Sequence, residues 1–434
     1  MTDVEVGIYC ILLLLFLFLT GLEMAYCMII AGFIGFTKLM GFSAASNLVI
    51  KDFFDTFTTY SYTVIPLFIL MGEIASNTNI AKRLYQGAHT WFGHIPGGLA
   101  MTTIVGATAF KAMSGSSLAT IGTFSNLAMP EMDRYNYKKE LSSGTIASVS
   151  TLGMILPPST VLIIYGIQVE ESIGRLFVAG IVPSLMIALL FMLVVAGWVL
   201  IKPDVAPRAE KATWKERLSA VPEALIIVII FGIVIGGMIT GFFSPTEAGT
   251  IGTVSMFLLA LVRREVNFDM LCRSLKGALR TSIMVLMLIA GSTIFGHFLA
   301  ITEIPMIAAK WAAGLPVEKT LIMVVIVFFY LIGGSIMDDL AFMVLATPVF
   351  FPTVVALGYD PTWFGIMICV TLMIGGLIPP IAIYVFILGN ITGLKFGTIY
   401  RGVVPFLSAL VLALVLLFLF PEIALWLPNF LMKR

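Results

Sequence analysis

Charge is scarce in this chain. Only 11% of its 434 residues are Asp, Glu, Lys or Arg, against roughly 25% in an ordinary soluble domain. The 25 cationic and 24 acidic residues nearly cancel, leaving a net charge of +1. No basic stripe stands out, so a nucleic-acid partner is excluded. Histidine is rarer still, and His89, His94 and His297 share no metal-ligand spacing. The four cysteines, Cys10, Cys27, Cys272 and Cys369, are scattered in or beside apolar segments and read as packed thiols. HExxH, Walker and GxSxG patterns are all missing. Catalysis has little to stand on, and the chain is not read as an enzyme.

What is abundant is apolar sequence, 59% of the residues. Stretches of about 18 or more apolar residues recur along the whole length, the pattern of a polytopic all-α membrane protein. The beginning, "MTDVEV", is acidic and runs into "YCILLLLFLFLTG" and further apolar sequence. A signal peptide has a basic start and a small-residue cleavage site, so this segment reads as an uncleaved first span. Expected spans cover 5–20, 23–40, 56–77, 141–168, 175–201, 222–241, 247–262, 280–300, 361–392 and 398–420. Two further apolar regions, 97–130 and 319–352, are each broken by Gly and Ser near the middle. Each is too long for one span and its halves are short, so both are expected to be re-entrant hairpins.

Lysine and arginine set the orientation. Lys202, Arg208, Lys211, Lys215 and Arg217 form one cluster, and Arg263, Arg264, Arg273, Lys276 and Arg280 another. The positive-inside rule puts both in the cytoplasm. Arg134, Lys138 and Lys139 follow the first hairpin, which should therefore enter from the cytoplasm, and the second from the opposite face. Both termini then fall outside, which the closing "MKR" mildly opposes. The hydrophilic loop 202–221 divides the chain into a first half, 1–201, and a second, 222–434. Five spans and one hairpin in each half, an odd number of crossings, make the second half inverted relative to the first.

The halves share a pattern. "GSS" begins 15 residues before Pro130, and "GGS" begins at Gly333, 15 residues before Pro348. "GMILPPS" from Gly153 matches "GGLIPPI", with Gly375 in the corresponding place. Pro158 precedes Pro183 by 25 residues, as Pro380 precedes Pro405, and "AGIVP" matches "RGVVP". Inverted repeats with broken helices are a transporter signature, with the site at the bilayer midplane between them.

Proline has no N–H. Pro157 and Pro158 free the carbonyls of Gly153 and Met154 from their helical partners, and Pro379 and Pro380 do the same for Gly375 and Gly376. A bare carbonyl in hydrocarbon is expensive and persists only where protein, water or a ligand meets it. Ser114, Ser116 and Ser117 can add oxygens at the first break, and Gly333, Gly334 and Ser335 at the second. Two oxygen cages for a small hard cation follow, with half-helix N–H groups free for an anion. The alternative is a packing kink, small residues allowing close helix contact.

Through "SGSSLATIG", "MPEM", "GMILPPS", "FSPTEAG", "GGSIMDDLAF" and "GGLIPPI", the chain resembles the large membrane subunit of TRAP (tripartite ATP-independent periplasmic) transporters, within the ion-transporter superfamily. The resemblance covers essentially the whole sequence. It implies an elevator mechanism coupled to Na⁺, in the inner membrane of a bacterium or archaeon. It also implies a small four-helix membrane subunit, and a periplasmic binding protein that delivers an organic acid. That small subunit is sometimes fused at the N-terminus and is expected here as a separate chain. One Na⁺ site carries over to Ser114, Ser117, Gly153, Leu156 and Pro157. The other carries over to Gly333, Ser335, Gly375, Ile378 and Pro379, in a half poorer in Ser and Thr. Ser116, Lys111, Asp338 and Ser159 are candidates to meet substrate.

Intramembrane charges are functional candidates by default. Lys111 near the first tip either serves the site or snorkels to the interface. Asp338 and Asp339 could pair with it, line an ion path or meet water at a tip. Ser244 and Glu247 in "SPTE" read as a capping box at a helix start. A stand-alone Na⁺/dicarboxylate carrier of the same superfamily is the competing function. A proton-pumping or redox subunit would need carboxylate and histidine relays and cofactor ligands, which the sequence lacks.

Overall fold

A computed structural model describes residues 2–207 and 211–432. Arg208, in the first cationic cluster, and the terminal Lys433 and Arg434 lie outside the described residues. Within them the chain is helical, with no strand. In chain order the helices are α1 (Asp3–Leu19), α2 (Met24–Met40), α3 (Phe42–Thr58), α4 (Val64–Ser76), α5 (Ile80–Phe92), α6 (Gly98–Ser114), α7 (Ser117–Arg134), α8 (Lys139–Thr151), α9 (Thr160–Gln168) and α10 (Ile173–Ile201). There follow α11 (Trp214–Ile239), α12 (Pro245–Val262), α13 (Phe268–Ile301), α14 (Ile304–Ala313), α15 (Lys319–Ile336), α16 (Asp339–Ala356), α17 (Pro361–Gly375), α18 (Ile383–Thr392), α19 (Phe396–Leu419) and α20 (Glu422–Leu431). Seven described helices (α10, α11, α12, α13, α15, α16 and α19) are long and apolar enough to cross a membrane.

Each expected hairpin region folds as two helices joined by a short tip, α6–α7 and α15–α16, and both long segments carrying Pro-Pro break, α8 from α9 and α17 from α18. The bonds Pro157–Pro158 and Pro379–Pro380 are both cis. The second halves of the hairpins start at Ser117 and Asp339, and the broken helices at Lys139 and Pro361. Each pair is 222 residues apart (339 − 117 and 361 − 139). That register matches Gly153 to Gly375 and Pro157 to Pro379, as the sequence suggested, but it shifts the hairpins by one helical turn. Gly333, Gly334 and Ser335 lie inside α15 rather than at the turn. The second tip is Met337–Asp338, and the position matching Gly333 is Lys111.

Several stretches depart from the expected spans, and α3, α14 and α20 lie largely or wholly outside them. Residues 56–58 do not join the 56–77 span: α3 ends at Thr58, and the chain bends by 53° before Tyr60–Thr63, a 3-10 turn that leads into α4. The loop 202–221 ends early, because Thr213 and Glu216 make a capping box that starts α11 at Trp214. The span 280–300 is the end of the 34-residue α13, which Asn267 caps. Helix α5 lay between expected spans. It buries Ile80, Ala81, Leu84, Tyr85 and Ala88 along one face and exposes Lys82 and Gln86 on the other, the stripe of a surface helix.

Packing follows the two-part pattern. Helix α2 packs on α13 and α4 on α12, two contacts that interchange when the halves are exchanged. The same holds for α8 on α19 and α10 on α17. At the first of these latter contacts a Cβ on Gly402 would meet the Glu140 carbonyl and the amide of Gly144. Helix α8 is buried from Leu141 to Thr151 although about half those residues are Ser or Thr. Most of their hydroxyls turn back on the helix, among them Ser143 Oγ to Lys139 O at 2.6 Å, Thr145 Oγ1 to Leu141 O at 2.7 Å and Ser150 Oγ to Ile146 O at 2.7 Å, while Ser148 Oγ has no partner among the described residues.

Candidate functional site

One cavity gathers the irregular backbone. It is lined by the first tip (Ser114–Ala119), the first break (Gly153, Met154), the second tip (Asp338–Leu340) and Tyr384 of α18, closed by α4 and α13. Its volume of ≈ 120 Å³ is room for several waters. A larger cavity of ≈ 250 Å³ lies between α9, α13 and α16, where Gln168 Nε2 donates to the Val344 carbonyl at 2.8 Å. The smaller one is the candidate site, because both hairpin tips and both broken helices meet there.

At the first tip, Gly115 has φ +55° and its N–H closes α6 on the Lys111 carbonyl at 3.1 Å. Glycine adopts that conformation without penalty. Ser116 then caps α7, its Oγ accepting from Ala119 N at 3.2 Å. The Ser114 hydroxyl is buried and has no hydrogen-bond partner among the described residues. Gly72 of α4 lets the tip approach, since a Cβ there would strike the Ser114 carbonyl.

Lys111 does not snorkel. It is 0% exposed, and its Nζ donates to the Ser150 carbonyl at 2.6 Å and the Ser116 carbonyl at 3.1 Å. A Cβ on Gly153 would collide with that Nζ and lie 3.1 Å from Ser117 Oγ. Lysine head, Gly153 and Ser117 therefore share one spot. Of the other first-break residues, Leu156 is buried and turns its N–H to Leu152 O at 2.9 Å. Pro157 is also buried. Ser159 is committed elsewhere: its Oγ donates to Met154 O at 2.6 Å and accepts from Leu162 N at 3.3 Å.

The expected second cage is not a ring of bare carbonyls. Backbone N–H groups re-engage four of them, as broken membrane helices commonly do. Gly333 O accepts from Met337 N at 2.8 Å, and Gly375 O from Ile378 N at 3.1 Å. Gly376 O accepts from Tyr384 N at 3.3 Å, and Ser335 O from Ile381 N at 3.2 Å. Ser335 Oγ turns back to Ile332 O at 2.7 Å. Gly333 itself is covered by the Phe342 ring, and Pro379 is exposed. The uncommitted oxygen is on a side chain instead. Asp338 caps α16, accepting from Leu340 N at 3.1 Å and Ala341 N at 3.3 Å. Asp339 Oδ2 accepts from the Tyr384 hydroxyl, while its Oδ1 is buried with no partner among the described residues. An orphaned carboxylate oxygen suits a small hard cation, so the second break fits one, through Asp339 rather than through the glycine carbonyls.

Tyr384 escaped the sequence reading. The available signal was that it is the one polar side chain between Pro380 and Asn390. Asp339 was noticed only as a neighbour of Asp338, because the one-turn shift in register hid its correspondence to Ser117.

The sequence pattern of the tripartite ATP-independent periplasmic transporter DctM component matches residues 11–423. The chain belongs to that family. It is 32% identical over 403 residues to the C4-dicarboxylate TRAP transporter large permease protein DctM of Pseudomonas aeruginosa, covering 92% of this chain and 94% of that one. It is equally 32% identical over 414 residues to the ectoine TRAP transporter large permease protein TeaC of Halomonas elongata, covering 95% and 96%. Among solved structures, the YdaH transporter of Alcanivorax borkumensis superposes with a TM-score of 0.61 over 89% of this chain and 90% of that one, at 14% identity. That likeness is one of fold. The chain is thus a multi-pass membrane protein of a transporter family.

Proposed function

We propose that the chain is the carrier subunit of a TRAP-type secondary transporter that imports an organic acid by Na⁺-coupled elevator movement. A periplasmic binding protein delivers the substrate, and a separate small four-helix subunit completes the membrane part. The reading rests on one observation: two hairpin tips and two broken helices, contributed equally by both halves, meet at one cavity. In this reading 1–201 and 222–434 are inverted repeats and the intervening loop is cytoplasmic.

The two tips differ in polarity. Helix α7 has no acidic residue in its first turn, whereas α16 carries Asp339 there and Asp338 as its cap. A helix N-terminus carries partial positive charge. That of α7 is left for an acid group of the substrate, beside Ser116. That of α16 is neutralised, and Asp339 Oδ1 is left for Na⁺, the coupling ion.

The test is transport into proteoliposomes holding the chain with its two partners. Uptake should follow an imposed Na⁺ gradient without ATP. Equal uptake with choline replacing Na⁺ would remove the sodium coupling. Full uptake by the chain alone would favour the stand-alone Na⁺/dicarboxylate carrier.

A further inference from the structure

The first break and the second are built to the same plan, yet one carries an amine and the other a carboxyl. In the second, Asp339 brings a carboxylate with a free oxygen. In the first, Lys111 brings an amine whose head already sits among the oxygens. Three observations place it there. Its Nζ bonds the Ser116 carbonyl, which belongs to the tip, and the Ser150 carbonyl, which belongs to the end of α8. Gly153, at the break, has no Cβ where one would collide with that Nζ. Ser117 Oγ stands 3.1 Å from that same Cβ position. A Na⁺ ion held by Ser117 and Gly153 would have to share this space with the lysine head, which is sterically excluded. At the matching position the second half has Gly333, which brings no head group.

We propose that Lys111 is a built-in substitute for a metal ion at the first break, tying the hairpin tip to α8, so that the carrier binds Na⁺ at the second break alone. The proposal rests on the transporter reading above for the second break, but not for the first. The lysine head does for the tip what a bound ion would do, drawing two backbone carbonyls from separate elements to one donor group. Because it is covalently attached, it neither arrives with the substrate nor leaves with it. The first break is then a fixed joint of the moving part rather than a coupling site.

The test counts sodium rather than transport. ²²Na⁺ binding to the purified full chain with its small subunit is measured at constant ionic strength with choline, alongside the Na⁺ dependence of the melting temperature. Wild type should bind one Na⁺ per chain with a Hill coefficient near one. Lys111→Gly, and Lys111→Ala should the glycine variant fold poorly, should bind one more Na⁺ than wild type, with a new Na⁺-dependent rise in melting temperature. Lys111→Arg should not gain an ion. Two Na⁺ per wild-type chain would overturn the proposal without recourse to any variant. An unchanged count in a folded Lys111→Gly or Lys111→Ala protein would overturn it as well. No Na⁺ on wild type but one on Lys111→Gly would support the first-break assignment while removing sodium from the second.

Discussion

The Tyr384 hydroxyl donates to Asp339 Oδ2 and so joins the second broken helix to the tip of the second hairpin. The contact spans 45 residues of sequence and is buried. It gives the Asp339 carboxyl its one side-chain partner and leaves Oδ1 turned toward the space beside Gly376.

Tyr384→Phe keeps the ring and removes the donor. A buried acceptor left unsatisfied costs about 1–3 kcal/mol, so the melting temperature should fall by several degrees. Asp339→Asn introduced into the Tyr384→Phe background should cost less than the same substitution in wild type, because the two groups act as one unit. Thermal denaturation of the four proteins of that cycle measures the coupling. Independent effects would mean that the contact does not hold the tip.

Much of this arrangement was legible in residue types. Glycine, serine and paired prolines interrupt apolar runs, and hairpins and broken helices form at those interruptions. Register was less legible. Pro130 and Pro348 suggested one alignment of the hairpins, but α16 carries both Pro348 and Pro352, and helix ends favour the alignment one turn away. The destination of Lys111 was not legible at all. Snorkelling and burial need the same sequence, and only the position of the Ser150 carbonyl, 39 residues on, decides between them. The freed glycine carbonyls were legible as freed, but not as recaptured, Gly375 O by Ile378 N and Gly376 O by Tyr384 N.

Helices α8 and α19 meet backbone to backbone at Gly144 and Gly402. A Cβ on Gly144 would strike the Gly402 carbonyl carbon and oxygen. Backbone on both sides leaves nothing flexible to yield. Gly144→Val should destabilise by more than about 3 kcal/mol, at or beyond the upper range of core overpacking, and should abolish recovery of monodisperse protein. Gly197→Val on α10, with open space around it, should be recovered normally. Normal recovery of the Gly144 variant would show that the two helices can separate.

Arg217 ties α11 to α5. Its guanidinium lies 5.3 Å from the Trp214 ring centre and 5.8 Å from that of Trp91, and Nη2 is 3.3 Å from His94 Nδ1. Arg217→Ala should cost about 1–2 kcal/mol. Arg217→Lys should recover only part, since an ammonium neither stacks nor forks. Partial burial first, then the charges of Arg217 and Lys211, hold His94 below the ordinary histidine range. The folded state therefore binds this proton less readily than the unfolded one. Stability from this group is present above about pH 6.5 and is lost as pH falls below it. His94→Gln should flatten that part of the pH–stability curve, and an unchanged curve would remove His94 from the junction.

The second hairpin presses on the second broken helix through Gly334 and Gly375. A Cβ added to Gly375 would lie 2.8 Å from the Gly334 carbonyl carbon and 3.1 Å from Ser335 N, all backbone. One methyl group therefore has to push the whole of α15 away from α17. Gly122 on α7 is the contrast, a helical glycine with nothing within 4 Å of its would-be Cβ. Gly122→Ala should be neutral to stabilising by about 0.4–1 kcal/mol, through the unfolded chain and helix preference alone. Gly375→Ala should lose about 1–3 kcal/mol by overpacking. Because Gly376 and Asp339 are immediate neighbours of the displaced backbone, it should also lower the affinity for Na⁺. Melting temperature and ²²Na⁺ binding on the same two preparations test both statements. If Gly375→Ala melts lower but binds Na⁺ as wild type does, the glycine contact is one of packing, and the ion belongs elsewhere than at the second break.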